Sequence, residues 1–395
     1  MSAPSRAPGA ARSLGRGRRP PTLYVMQHRD YSGAELMHVP LIRADHDALL
    51  ACPPGTRTEE LARRFAIPTV PLPFRSLRHS GGALETVRST FRGLRSAWDL
   101  RRLLRAHPER RIVYCIALRP GMLCAVAKAG LRRRAIWFVS DFLPPPPVGL
   151  LTRALARLGC DRAIATSQSV ARDFAGRSAR LRRRTVVVYP GTEVERFDPT
   201  RANPGAPRAA VVGQVSPTKR TDLAVEIAAR VAREVPEFEL EIVGRAQYRD
   251  SDFAFERELE ERIERDPSLR PHVRFAGYSG DVASELLRFG LLLHCRPDEP
   301  FGIALIEAMA AGLPVVAPGS AGPAEIVDDG VTGLLYPPGD RERAAAHVVR
   351  LVRNRADAAA MGAAGRRAVE RRFDAGRQLR EMERILDELS VAPSP

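Results

Sequence analysis

Short runs of apolar residues recur along the chain, separated by longer stretches with helical spacing. Thr22–Met26 (TLYVM), Arg111–Ala117 (RIVYCIA), Ala135–Val139 (AIWFV), Arg162–Thr166 (RAIAT) and Thr185–Tyr189 (TVVVY) are almost wholly apolar. Runs of that length and character are strands buried on both faces, the parallel kind. Shorter strands are expected at 47–51 and 68–72, around a helix near 57–65. After a linker over 190–203 the pattern restarts, with strands at 209–212, 239–243, 273–276, 291–294 and 315–317. Helices at 221–234, 253–264 and 281–289 alternate with them, and three more follow at 341–354, 357–372 and 376–389. Alternating strands and helices give the α/β class with parallel sheets. A chain of 395 residues divides best into two domains. The expected division is a basic tail (1–20), a first domain (21–198), a second domain (199–372) and a terminal segment (373–395).

One helix of the first half stands out. Over 84–106, Val87, Phe91, Leu94 and Trp98 form an apolar stripe, and Arg88, Arg92, Arg95 and Arg102 recur on a neighbouring stripe. A surface helix with a charged face and a membrane-facing helix fit this pattern equally. No segment is apolar enough to span a bilayer: the best, 112–131, is broken by Arg119, Pro120 and Lys128. The N-terminal tail is basic without an apolar core, so it reads as disordered and not as a secretory signal. The five cysteines include no C-x-x-C pair, which suggests neither zinc site nor disulfide framework and fits a reducing cytoplasm.

Charge is unevenly placed. Residues 1–200 hold 35 Lys and Arg against 15 Asp and Glu, and the remainder holds 27 against 31, within a total of +16. An arginine-rich solvated surface would give this balance. So would attraction to an anionic partner, either a membrane surface or an acidic acceptor. Nucleic acid is not expected, because zinc-finger, RNP-type and helix-turn-helix signals are missing. The first strand is not followed by Gly-x-Gly-x-x-Gly, which argues against a dinucleotide cofactor.

The most informative stretch is Arg296–Asp340 (RPDEPFGIALIEAMAAGLPVVAPGSAGPAEIVDDGVTGLLYPPGD). Pro300, Phe301 and Gly302 turn the chain into a helix, Gly312 supplies a left-handed C-terminal cap, and Pro314 forbids continuation. A helix that starts at glycine directs free N–H groups and a positive dipole end outward, a setting for phosphate. Glu299 and Glu307 bracket that start. Carboxylates repel phosphate but accept hydrogen bonds from hydroxyls. Phosphate and hydroxyls on one ligand describe a nucleotide sugar.

At this point the chain resembles the retaining GT-B glycosyltransferases of the large family that includes bacterial mannosyltransferases and sucrose synthases. The resemblance runs from Tyr24 to about Leu389. It is carried by EPFGIALIEAMAAGLPVVA with its Glu-x7-Glu spacing, together with VGQVSPTKR, LEIVG, VRFAGY and AEIVDDGVTGLLYPPGD. It implies two facing Rossmann-like, doubly wound domains with a C-terminal helix crossing back to the first. Glu307 would hold ribose hydroxyls and Glu299 the donor sugar. The Phe301, Gly302 and Ile303 amides would meet sugar and phosphate oxygens, and Lys219 would neutralise the diphosphate. Gly33 would admit the diphosphate from the first domain, with Gly213 and Gln214 at the facing loop and Tyr278 at the base. No metal or cofactor is implied: a lysine and a helix N-terminus meet the leaving-group charge, and the phosphate takes the acceptor proton. The acceptor hydroxyl would belong to an anionic or lipid-linked molecule, and the enzyme would be cytoplasmic and peripheral to the inner membrane face.

Three departures from the family pattern leave alternatives open. Gln214 stands where arginine is usual, with Arg220 and Arg245 nearby to make up the charge. Ser140 stands where histidine is usual, leaving Asp141 or His28 near the reacting sugar. The first-loop glycine pair is reduced to Ser32-Gly33. A sugar-nucleotide epimerase or a catalytically degenerate binding protein on the same fold is the alternative.

Overall fold

The protein is described by a computed structural model covering residues 21–28, 36–73, 83–247 and 249–391. The first parallel sheet contains β1 (Thr22–Met26), β2 (Leu49–Cys52), β3 (Thr69–Pro71), β4 (Ile112–Ile116), β5 (Arg134–Val139), β6 (Arg162–Ala165) and β7 (Thr185–Val187). Its strand order is β3-β2-β1-β4-β5-β6-β7. The connecting helices are α1 (Val39–Ala44), α2 (Arg57–Arg64), α3 (Ala83–Ala106), α4 (Leu118–Ala127), α5 (Val148–Gly159), α6 (Gln168–Ala175) and α7 (Ala179–Arg184).

The second sheet contains β8 (Arg208–Val212), β9 (Glu239–Val243), β10 (Val273–Gly277), β11 (Leu291–Leu293), β12 (Val315–Pro318) and β13 (Leu334–Tyr336), in the order β10-β9-β8-β11-β12-β13. Its helices are α8 (Thr221–Glu234), α9 (Asp250–Arg265), α10 (Val282–Leu286), α11 (Ile303–Ala310), α12 (Ala321–Ile326), α13 (Arg341–Arg353) and α14 (Arg355–Arg372). Each order reverses once, between β1 and β4 and between β8 and β11. Such switch points open a crevice at the carboxyl ends of the strands, where open α/β sheets bind ligands.

Period-two alternation explains how the first sheet is covered. Leu23, Val25, Val113, Cys115 and Trp137 share a core with Leu100, Leu104, Leu123 and Ala156 of α3, α4 and α5. Tyr24, Met26, Tyr114, Ile136 and Phe138 point the other way, onto Met382, Ile385 and Leu386. Those three belong to α15 (Ala375–Val391). The last helix therefore crosses back to the first sheet, as the resemblance implies.

Two features lie beyond what the pattern of apolar positions settled. Along α3, Phe91, Leu94 and Trp98 are 66%, 58% and 57% exposed, while Ala97, Leu100 and Leu104 are buried. The bulkier stripe faces outward because the layer against α4 is built from smaller and aliphatic side chains. The side chains of Val87 and Arg88 lie outside the described ones, as does the 1–20 tail. Helix α7 was not expected: within Ala179–Arg184 only Leu181 is a buried apolar residue, too few to show a period. Its Ser178 cap, accepting the Leu181 N–H at 3.3 Å, fixes the first turn instead.

Candidate active site in the interdomain cleft

Strand β11 delivers His294, Cys295 and Arg296 to the carboxyl edge of the second sheet, and the chain then turns through 297–301 into α11. That turn is pinned from behind. The Ser320 hydroxyl donates to the Pro297 carbonyl, and the Gly322 N–H donates to the Glu299 carbonyl at 2.9 Å. A Cβ on Gly322 would stand 2.2 Å from the Phe301 carbonyl oxygen, so only glycine allows this approach. Phe301 is buried against Tyr189 and Phe373, with ring centroids 5.9 and 5.7 Å away. Gly302, at φ +120°, opens α11, and no side chain caps that helix. Its first-turn amides are left for another partner.

Glu299 is 7% exposed and surrounded by cations. Lys219 Nζ donates to its Oε2 at 2.5 Å, and Arg296 Nη1 lies 3.9 Å from Oε1. Burial alone would raise this carboxyl, but Lys219, His294 and Arg296 outweigh it and hold it below its ordinary value. Lys219 is set by a single 3-10 turn, Pro217–Lys219, capped by Ser216 and closed by Arg220 in the left-handed region at φ 55°. Glu307, on α11, is the electrostatic opposite. It is half-buried and has no hydrogen-bond or ion-pair partner among the described residues. Burial raises its carboxyl from 4.5 to about 7, and only Arg196 opposes that.

From the first sheet, Asp141 follows β5 and faces the same cluster: its Oδ1 accepts the Phe142 N–H at 2.8 Å and lies 3.8 Å from Arg296 Nη2. Burial raises its carboxyl above the ordinary range despite the Phe142 N–H and Arg296. Glu299, Lys219 and Asp141 therefore meet around Arg296, with Phe301, Gly302 and Ile303 on the adjoining turn. Gly213, at φ +139°, and Gln214 end β8, and the Gln214 amide donates to the buried Asp252 at 2.8 Å. Tyr278 follows Gly277 at the end of β10 and is 71% exposed. Among the described residues no hydrogen bond or ion pair joins Gln214 or Tyr278 to the Glu299 cluster. Gly33 lies outside the described residues.

Three residues were missed by reading the sequence. Arg296 stands beside Glu299 and ties the two domains through Asp141. His294 has Nε2 buried without a hydrogen-bond partner among the described residues and 3.6 Å from Glu299. Burial lowers its imidazole to about 4, so it is neutral at physiological pH. Glu325 of α12 accepts from the Gln168 and Ser169 amides and the Ser169 hydroxyl, each at 2.7 Å, and from the Tyr189 hydroxyl at 3.2 Å. Polar residues directly after an apolar strand were the available signal for the first two; nothing local marks Glu325. Among the described residues no cluster of three or more potential metal ligands occurs, and no helix is long and apolar enough to cross a membrane.

Residues 194–368 match the family model described as glycosyl transferases group 1. The chain is 39% identical over 109 residues to a phosphatidyl-myo-inositol mannosyltransferase of Mycobacterium leprae, which is 27% of this chain and 29% of that protein. It is 30% identical over 222 residues to a D-inositol 3-phosphate glycosyltransferase of Kribbella flavida, 50% of this chain and 49% of that one. It thus spans about half or less of the length of these curated relatives. Among solved structures, HepE from Anabaena in complex with UDP and glucose superposes with a TM-score of 0.78 at 23% identity, covering 93% of this chain and 99% of that one. That likeness establishes the fold, the two-domain GT-B arrangement.

Proposed function

With residues 194–368 forming a glycosyl transferases group 1 domain, we propose that the protein is a retaining hexosyltransferase that moves a sugar from a UDP- or GDP-sugar to an acceptor hydroxyl. The observation that carries this reading is Glu307: a half-buried carboxylate with no hydrogen-bond or ion-pair partner among the described residues, one helix turn beyond an uncapped N-terminus whose entry turn carries the Lys219–Glu299 pair. Hydroxyls satisfy such a carboxylate, and phosphate satisfies the amides and the lysine. In this reading Glu307 receives the ribose hydroxyls and Glu299 those of the sugar. The Phe301, Gly302 and Ile303 backbone takes sugar and phosphate oxygens. Gly213 lets the diphosphate approach the backbone, Gln214 lies beside it, and Tyr278 stacks on the base.

As the anomeric C–O bond breaks, negative charge grows on the diphosphate, and Lys219 with the α11 N-terminus stabilises it without a metal. Lys219 begins on Glu299, and Arg296 keeps that carboxylate neutralised when the lysine turns to phosphate. The acceptor attacks from the same face and passes its proton to the departing phosphate. Asp141 approaches the sugar from the first domain. We place the acceptor among anionic or lipid-linked hydroxyl compounds, and the enzyme on the cytoplasmic membrane face. Both inferences are supported by the basic first half and by relatives whose names carry phosphorylated inositol.

The test is thermal unfolding with UDP, GDP and ADP, followed by turnover with the sugar nucleotides of whichever diphosphate binds. One diphosphate should raise the melting temperature, and Lys219→Ala should lower kcat about a hundredfold. Unchanged melting with all three, or full turnover by Lys219→Ala, would remove this assignment.

A further inference from the structure

Helices α3, α4 and α5 lie side by side over one face of the first sheet. The Arg101 guanidinium of α3 donates to the Ala127 and Ala129 carbonyls at 2.8 and 2.6 Å, ending α4. Gly159 of α5 packs so tightly on Ala125 of α4 that an added Cβ would lie 2.4 Å from the Ala125 Cβ. The outer side of this layer is not the polar surface such a layer normally shows. Phe91, Leu94 and Trp98 are more than half exposed on α3, and Leu151 and Leu158 are 54% and 80% exposed on α5. Scattered exposed apolar residues are ordinary, but large ones grouped on α3 and on α5, the two helices that flank α4, with Val126 of α4 itself 40% exposed, mark an interaction surface.

Charge identifies the partner. Arg95, Arg102 and Arg105 are exposed on α3, and none has an ion pair among the described residues. At steps of three, four and seven residues they border Phe91, Leu94 and Trp98 on the same side of the helix. Ring and aliphatic groups flanked by exposed arginines match the boundary of an anionic bilayer, where apolar groups enter the acyl region and guanidinium groups meet phosphate. A protein partner would have to bring both an apolar groove and several carboxylates. The face also continues toward the cleft. Leu150, at the start of α5, lines a depression of ≈ 210 Å³ together with Pro144–Pro146 of the loop that follows Asp141.

We propose that the outer face of α3 and α5 is the surface by which this protein lies on an anionic membrane, with the mouth of the cleft turned toward the lipid interface. This deepens the peripheral-membrane part of the proposed function and rests on it.

The experiment is flotation of the full-length protein with vesicles of phosphatidylcholine alone and of phosphatidylcholine with phosphatidylglycerol. Two surface variants are compared, Phe91→Ser/Leu94→Ser/Trp98→Ser and Arg95→Glu/Arg102→Glu/Arg105→Glu. Wild type should float with the anionic vesicles only. The apolar variant should bind them about tenfold more weakly or worse, and the charge variant should lose about fivefold or more for each arginine changed. Equal binding by wild type and both variants overturns the proposal and places membrane affinity elsewhere on the basic half. No binding by wild type also overturns it. A concentration-dependent dimer that only the apolar variant loses overturns it in favour of self-association. Melting curves of each variant with and without nucleoside diphosphate report folding and donor binding separately. Failure here with an intact nucleotide shift leaves the transferase reading standing, and loss of the nucleotide shift in wild type removes that reading independently.

Discussion

Glu299 and Glu307 show how one residue type takes two states within a single motif. Lys219 and Arg296 charge-stabilise the first, while burial raises the second to about 7. Because the folded value of Glu307 exceeds its ordinary 4.5, the folded state binds the extra proton between those limits. The associated stability is fully present below the ordinary carboxylate range and is lost as pH rises through about 7. Glu307→Gln should therefore melt higher than wild type above neutral pH and like wild type in acid. It should at the same time bind nucleoside diphosphate more weakly, since the amide offers ribose one acceptor where the carboxylate offered two. Wild-type affinity should climb as pH rises through about 7 and that of the variant should stay flat; calorimetric titration across that range reads both. A variant that binds as tightly as wild type at every pH would contradict the ribose role.

At the scale of elements, strain gathers where the first sheet meets the cleft. Ala117 joins β4 to α4 at φ 96° and ψ 166°, a conformation that side chains other than glycine rarely adopt. Its N–H still donates to the Phe138 carbonyl at 3.2 Å, so neighbouring strands hold the kink. Ala117→Gly removes the Cβ that makes this costly, though it also loosens the unfolded chain. The net expectation is a gain of about 1 kcal/mol and a melting temperature a few degrees higher by calorimetry. A fall in stability would mean that the Cβ contributes packing outweighing the strain.

Polar links join the domains in addition to the return of α15, and two of them flank the cleft. Arg296 faces Asp141 across the cleft mouth. Near the hinge, Glu325 satisfies amides at the start of α6 and so acts as that helix's cap from the opposite domain. Removing a side-chain cap costs about 1 kcal/mol, and here the loss falls on domain alignment. Glu325→Ala should lower the melting temperature by a few degrees and raise the donor KM. Without nucleotide it should also scatter X-rays as a broader set of conformations, because closure around the donor is no longer pre-set. Scattering identical to wild type with an unchanged KM would show that the hinge strands and α15 fix the alignment alone.

By itself, the sequence determined the class of fold and singled out the stretch proposed as the donor motif. Strand runs such as TLYVM and RIVYCIA are apolar because both faces are covered, and that condition is visible locally. The turn at Phe301–Gly302 and the cap at Gly312 are equally local, being set by backbone conformations that few residues adopt. Tertiary structure decided which polar groups meet. Lys219 reaches Glu299, Gln214 pairs with Asp252, and Glu325 caps α6, each across 38 residues or more, and spacing carries no trace of such encounters. It also decided which stripe of α3 faces out. Periodicity locates a stripe on a helix, but the side chains available on the neighbouring layer settle which stripe is buried. Here small and aliphatic residues filled the contact, and Phe91, Leu94 and Trp98 were left on the surface.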